Sequence, residues 1–209
     1  MTDIPLPGCT LILAAGLGSR YRQHSRNSSP EDHQKDKLLA PYRADDPTST
    51  PVLLATLRTC ARLTERCVLV LADDNQQRVQ LAQQHAPALG IDILVVSTRG
   101  LGHSLAQAVQ YAPSATGWLV ALADMPYVTR ASCERLAQAL APAVLAVPTY
   151  QGRRGHPRVI GSRYVDDLLA LDGEQGAQQL FGLPKVQEIS VEDPGVLIDI
   201  DIPSDRLQS

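Results

Sequence analysis

The sequence predicts an α/β fold, a doubly wound and mostly parallel sheet with helices on both faces, Rossmann-like in kind. Three observations predict it. Short apolar runs recur along the chain; turn residues close most of those runs; and stretches with apolar residues at helical spacing separate them. At 209 residues, 44% hydrophobic and 20% charged, the chain is long enough to bury a substantial core, and one domain over 1–209 is expected.

The candidate strands are Thr10–Ala14, Cys67–Leu71, Ile91–Val96, Trp118–Leu122 and Val144–Val147. Between the first two, Val52, Leu53, Leu57, Cys60 and Leu63 fall on one helical face. Two segments break the rhythm. Tyr21 to Asp36 is polar and Ser-rich, with too few apolar residues to offset the entropy of ordering, and reads as an insertion forming a loop or lid. Arg43 to Pro51 reads as a second surface loop. Beyond Tyr150 the chain is less regular and punctuated by glycines, until Gly195 to Pro203 reads as a short apolar strand carrying Asp199 and Asp201.

A formal charge of -3 supplies no positive field for nucleic acid or acidic lipid, so a small ligand is expected and a nucleic-acid partner is not. The four cysteines, Cys9, Cys60, Cys67 and Cys133, form no C-x-x-C pair and are expected as buried, reduced thiols. Met1 to Pro7 lacks a basic start and an apolar stretch, and no apolar run approaches the roughly 20 residues of a membrane span. A cytoplasmic protein without a membrane partner is the expectation.

The first strand runs into Leu13-Ala14-Ala15-Gly16-Leu17-Gly18-Ser19-Arg20. Small residues there let the backbone approach a ligand and offer N–H groups to phosphate oxygens, and Arg20 adds a planar cation suited to bidentate phosphate contact. The segment is neither a G-x-x-x-x-G-K-[ST] loop nor a G-x-G-x-x-G fingerprint, because Ser19-Arg20-Tyr21 follows the glycines. A tight connection with no ligand remains the other reading. The fourth strand ends in Ala123-Asp124-Met125-Pro126, which puts a carboxylate at the carboxyl edge of a parallel sheet, where open α/β folds bind ligands. Such a carboxylate suits Mg²⁺, completed by water and substrate phosphates, or simply closes a turn. Asp199 and Asp201, two apart on a strand, would share a face and could meet Asp124, or could lie exposed on an edge. Gly100, Gly102 and Ser104 form a second glycine turn leading into a helix, either approached by a flat base or a plain capped loop. Arg153-Arg154-Gly155-His156-Pro157 groups cations and an imidazole, as a solvated loop or as a site for an anionic second substrate.

Taken in order, Leu13-Ala14-Ala15-Gly16-x-Gly18-Ser19-Arg20, Lys37-Leu38-Leu39, Gly100-Leu101-Gly102-x-Ser104-Leu105, Asp124-Met125-Pro126, Arg154-Gly155-His156-Pro157 and Asp199-Ile200-Asp201-x-Pro203 resemble the molybdenum cofactor nucleotidyltransferases, in particular their molybdopterin cytidylyltransferase branch. The resemblance implies an enzyme that moves CMP from CTP, or a nucleotide from another nucleoside triphosphate, to the phosphate of a molybdopterin-type acceptor. It implies nucleotide binding by Leu13, Ala14, Ala15, Gly16, Gly18, Ser19, Arg20, Gly100, Gly102 and Ser104. Catalytic roles are implied for Arg20, Lys37 and Asp124, with Mg²⁺ held by Asp124 and Asp201 and by Asp199 in reserve. Arg154 and His156 would face the acceptor, and a molybdenum hydroxylase is the implied downstream partner. Ala15 is similar to the cytidylyl branch, where guanylyl relatives carry a second glycine. The chain departs from the family pattern in having Arg22 where a glycine is usual and in reaching Lys37 only after the insertion, which leaves Lys35 and His33 as alternative cations. Other acceptors, a sugar or alcohol phosphate, and a non-catalytic cofactor-binding factor are the alternative readings.

Overall fold

Alternating runs of β-branched and aliphatic residues become an eight-stranded sheet in the computed structural model, which describes residues 4–16, 36–46 and 48–208. The strands are β1 (Leu6–Leu13), β2 (Thr64–Ala72), β3 (Asp92–Val96), β4 (Gly117–Leu122), β5 (Leu145–Tyr150), β6 (Arg153–Arg154), β7 (Arg158–Gly161) and β8 (Val186–Ser190). The helices are α1 (Val52–Cys60), α2 (Gln76–His85), α3 (Leu101–Tyr111), α4 (Arg130–Ala137) and α5 (Val165–Leu169). Strand order is β3-β2-β1-β4-β7-β5-β6, with β8 also pairing β5. The first four of these are parallel to one another, whereas β7 is antiparallel to both β4 and β5. The sheet is therefore mixed, with a parallel core.

Side chains alternate across the strands, and the alternation sorts the core into two layers. Ile12, Leu69, Leu71, Leu119 and Ala121 pack against Leu53, Leu57 and Cys60 of α1 and Cys133 and Leu136 of α4. Leu11, Leu13, Val68, Val70, Trp118 and Val120 pack on the opposite face against Leu105, Ala108 and Val109 of α3 and Leu168 of α5. Both faces are covered, as the doubly wound expectation requires. All four cysteines are buried and free, and burial pushes the Cys9 thiol up to about 12. No helix among the described residues is long and apolar enough to cross a membrane.

The strands expected near residues 10, 67, 91, 118 and 144 are present, most of them longer, although β3 and β5 begin one residue later and β1 ends one residue earlier than expected. Two features differ. The tail contains β6, β7 and β8, short strands with no sustained apolar run to announce them. The segment from Gly195 to Pro203 is not a strand: Pro194–Leu197 forms a 3-10 turn, and residues 198–200 run without a ladder. Local capping decides this. Asp193 accepts from the Gly195 N–H at 2.9 Å and also from the Thr129 N–H and the Ser132 hydroxyl at 2.8 and 2.7 Å, while Pro194 brings its fixed φ to the turn.

Candidate functional site

The carboxyl ends of β1 and β4 lie side by side, with Leu13 paired to Leu122 and the Ala123 N–H donating to Leu13 O at 3.0 Å. This adjacency brings the glycine turn after β1 and Asp124 after β4 to one sheet edge. Ala14 and Ala15 are buried, so the chain leaves the sheet closely packed before Gly16. Gly18, Ser19 and Arg20, together with residues 21–35 of the polar insertion, lie outside the described residues, as do Lys35 and His33.

Lys37 re-enters the described chain at that edge. Residues 37–39 form a turn; the Leu53 and Val52 N–H groups donate to Leu38 O and Ala40 O, which ties the turn to the start of α1. Lys37 is 9% exposed, and its Nζ donates to Asp124 Oδ2 at 2.6 Å and to Asp201 Oδ1 at 3.0 Å. Burial alone would lower the Lys37 pKa, but the charges and hydrogen bonds of Asp124 and Asp201 outweigh it and hold the ammonium above its ordinary value. The Ile200 N–H donates to Asp124 O at 2.9 Å and fixes the 198–201 segment against β4, although no strand forms there. Asp199 stands near the same cluster: burial, with the charges of Asp201 and Asp124, raises its pKa. Asp124 Oδ1 is buried with no hydrogen-bond partner.

A lone acceptor oxygen beside two carboxylates that already converge on one cation suits a hard divalent ion completed by water and phosphate oxygens. Asp124 and Asp201 would hold it. Among the described residues no group of three or more His, Cys, Asp or Glu is arranged as a metal cage.

Two residues that carry no motif organise this edge. Asp36 is the last residue of the polar segment, and Arg78 lies on α2, whose described buried residues are only Arg78 and Ala82. The guanidinium of Arg78, 4% exposed, bonds both Asp36 oxygens and donates through Nη1 to Ala14 O at 2.9 Å and Gly16 O at 3.0 Å. Asn75, the N-cap of α2, also donates to Asp36. Asp36 in turn accepts from the Leu38 N–H at 2.9 Å. One buried ion pair thus joins the glycine turn to the residue preceding Lys37. A basic residue in a polar helix gives no sequence signal of its own, and only the fold reveals it.

Gly100, Gly102 and Ser104 sit at the start of α3, but the close neighbour that the glycines admit is the chain's own 172–175 segment. A Cβ at Gly100, whose φ is 144°, would come within 2.6 Å of Gly173, and one at Gly102 within 2.2 Å of Gln175 O. The Gly102 N–H donates to Gly173 O at 3.0 Å, and Arg99 pairs with Asp172 at 2.8 Å. Ser104 is fully buried within the first helical turn; its hydroxyl bonds Thr98 Oγ1 at 2.6 Å and Gly100 O at 2.9 Å. Gly100, not Ser104, is the N-cap.

Beside this edge a cavity of about 560 Å³ opens, whose lining includes Leu13, Leu122, His156, Arg158 and Phe181. His156 follows β6, where its N–H donates to Val196 O at 3.0 Å. Burial lowers its pKa to about 3, so the ring is neutral, and its Nδ1 has no hydrogen-bond partner. Arg154 pairs with Glu188 at 2.7 Å and donates to Phe181 O at 3.0 Å. The residue that sequence reasoning missed is Arg158, just past the motif, whose guanidinium carbon lies 4.7 Å from the centroid of the Phe181 ring.

With this geometry in place, comparison with known proteins gives a consistent picture. Residues 10–189 match the MobA-like NTP transferase domain family. Among solved structures, Rv0371c from Mycobacterium tuberculosis H37Rv is similar, 27% identical over 95% of both chains with a TM-score of 0.70. A complex of the same protein with manganese is 27% identical over 96% of both chains with a TM-score of 0.67. A nucleotidyl transferase from Methanothermobacter thermautotroptrophicus, 20% identical over 95% of this chain and 94% of that one with a TM-score of 0.76, shares the fold. No curated protein matches the chain.

Proposed function

The chain belongs to the MobA-like NTP transferase family, and from that premise we propose that it transfers CMP from CTP to the phosphate of a molybdopterin-type acceptor. The observation that carries the proposal is the Lys37 ammonium held between Asp124 and Asp201 at the carboxyl edge of the sheet, beside the turn after β1. An acceptor phosphate oxygen attacks the α-phosphorus, the bond from that phosphorus to the bridging oxygen of the β-phosphate breaks, and pyrophosphate leaves with the electron pair. No side-chain nucleophile is required, so positioning and charge stabilisation supply the rate.

In this reading the backbone of Leu13, Ala14, Ala15 and Gly16, continuing through Gly18 and Ser19, lies along the triphosphate, with Arg20 as its cation. Gly100, Gly102 and Ser104 border the nucleoside, and the 172–175 segment packed on them closes that side. Asp124 and Asp201 hold a divalent ion, with Asp199 in support. Mg²⁺ is the proposed metal, supplying Lewis-acid neutralisation of the triphosphate, and the manganese complex of a similar protein makes Mn²⁺ a fitting substitute. Lys37, already within 3.0 Å of both carboxylates, then turns its ammonium toward the reacting phosphates. His156 borders the acceptor as a neutral ring, and Arg154 is engaged with Glu188. CTP is preferred over GTP because Ala15 stands where guanylyl relatives carry glycine.

Pyrophosphate release, measured with a panel of triphosphates and acceptors in Mg²⁺, tests the proposal. Release with CTP and a molybdopterin acceptor is expected. Release with CTP only when a sugar or alcohol phosphate is supplied would overturn the acceptor, and release only with GTP would overturn the nucleotide.

A further inference from the structure

The cavity beside the metal edge contains a cation with nothing to hold. Arg158 is partly buried, yet its side chain makes no hydrogen bond or ion pair with any described residue, and its Nε is buried without a partner. Other arginines of this protein are satisfied: Arg78 holds Asp36, Arg130 holds Glu134 and Arg154 holds Glu188. Glu174 lines the same cavity and makes no ion pair with Arg158. The Phe181 ring under the guanidinium supports its face but cannot accept from its in-plane N–H groups.

Position adds a length. Arg158 is paired with Val120 in the β4–β7 ladder, four residues before Asp124. At about 3.3 Å per residue, that level is roughly 13 Å from Asp124 along the sheet. The cavity spans this interval, from Leu122 next to the metal edge to Arg158 and Phe181. Its walls include the apolar side chains of Leu101, Leu105 and Ile160, and His156 supplies a neutral ring.

We propose that Arg158 reads the far end of the acceptor, its guanidinium edge binding a planar hydrogen-bond-accepting group, a carboxylate or ring carbonyl, on the order of 10 Å from the reacting phosphate. The proposal rests on the transferase reading above and deepens it. A guanidinium backed by an aromatic ring presents a flat fork of parallel N–H donors, and the apolar side chains of Leu101, Leu105, Ile160 and Phe181 around it favour a flat, weakly charged body carrying the accepting group over a free phosphate. Arg158 is therefore a specificity residue that never touches the reacting atoms. An acceptor without such a group would leave the guanidinium edge unpartnered.

The test uses pterin-6-carboxylate, a fluorescent planar anion, titrated into the full chain and into Arg158→Met and Arg158→Lys variants, with CTP plus Mg²⁺ titrated in parallel. Binding to the wild type is expected, with affinity at least about tenfold weaker in both variants, because lysine keeps the charge but loses the fork. CTP affinity should be unchanged in all of them. Equal probe affinity in the wild type and the variants would overturn the proposal, as would absence of probe binding to a wild type that binds CTP. Probe binding that depends on Arg158 without any CTP binding would keep Arg158 and overturn the CTP reading instead. Should Arg158→Met fail to bind CTP or unfold early, Arg158→Lys decides, and full probe affinity in it overturns the fork.

Discussion

Replacing Arg78 with methionine should be among the most damaging single changes to this protein, although the residue belongs to no motif. The pair it forms with Asp36 is nearly dry, with side chains 5% and 10% exposed, so solvent screening gives little relief. Methionine fills much of the volume but strands Asp36, and it removes the donors to Ala14 O and Gly16 O. Breaking a buried pair from one side costs about 3–5 kcal/mol, because the remaining charge stays uncompensated. In a chain of this size each kcal/mol moves the melting temperature by about 2–4 °C, which gives a fall of about 6–20 °C. Thermal unfolding followed by the fluorescence of Trp118, itself buried, reads this directly. Adding Asp36→Asn to the variant should recover part of the loss, since it removes the stranded charge. A single variant melting within about 2 °C of the wild type would refute the reasoning. So would a double mutant that melts at the sum of the two single losses.

Other outcomes follow from the same geometry. Gly102→Ala places a Cβ 2.2 Å from Gln175 O, a backbone atom that cannot step aside cheaply, and should cost about 1–3 kcal/mol by denaturant unfolding. An unchanged midpoint would show that the 172–175 segment is not held there. His156 has a folded pKa of about 3 against an ordinary value of 6.5, so between these the unfolded chain binds a proton that the folded chain does not. Its contribution is complete above pH 6.5 and is lost as the pH falls toward 3, with a slope of up to about 1.4 kcal/mol per pH unit. His156→Gln should flatten the stability profile in that window, and a profile unchanged by the substitution would contradict the buried neutral ring.

The parallel core was legible because each of its strands is a run of aliphatic residues long enough to stand out, and the turns after β1 and β4 carry motif residues at a sheet edge. The local structure expected around Asp124 is present, whereas the strand expected around Asp199 and Asp201 is not. Asp124 follows a strand; Asp201 reaches Lys37 from a segment that Asp193 and Pro194 bend into a 3-10 turn instead of a strand. β7 and β8 escaped because Arg-Val-Ile-Gly and Val-Gln-Glu-Ile-Ser are too short or too polar to show a period, and pairings distant in sequence fix them. The glycines at 100 and 102 announced a close approach without saying to what, and the structure answers with Gly173 and Gln175. Arg78 and Arg158 have no local signature at all. Their significance lies in what surrounds them, a buried carboxylate in one case and no partner in the other.

In the proposed function a nucleoside triphosphate binds at the β1–β4 edge through a divalent ion held by Asp124 and Asp201. Calorimetric titration of CTP into the wild type and Asp124→Asn, with Mg²⁺ and with chelator, tests it most directly. Binding by the wild type should need Mg²⁺, and affinity in the variant should fall at least about tenfold, which is about 1.4 kcal/mol or more. Binding of equal strength in the variant, or binding by the wild type that ignores the metal, would contradict it.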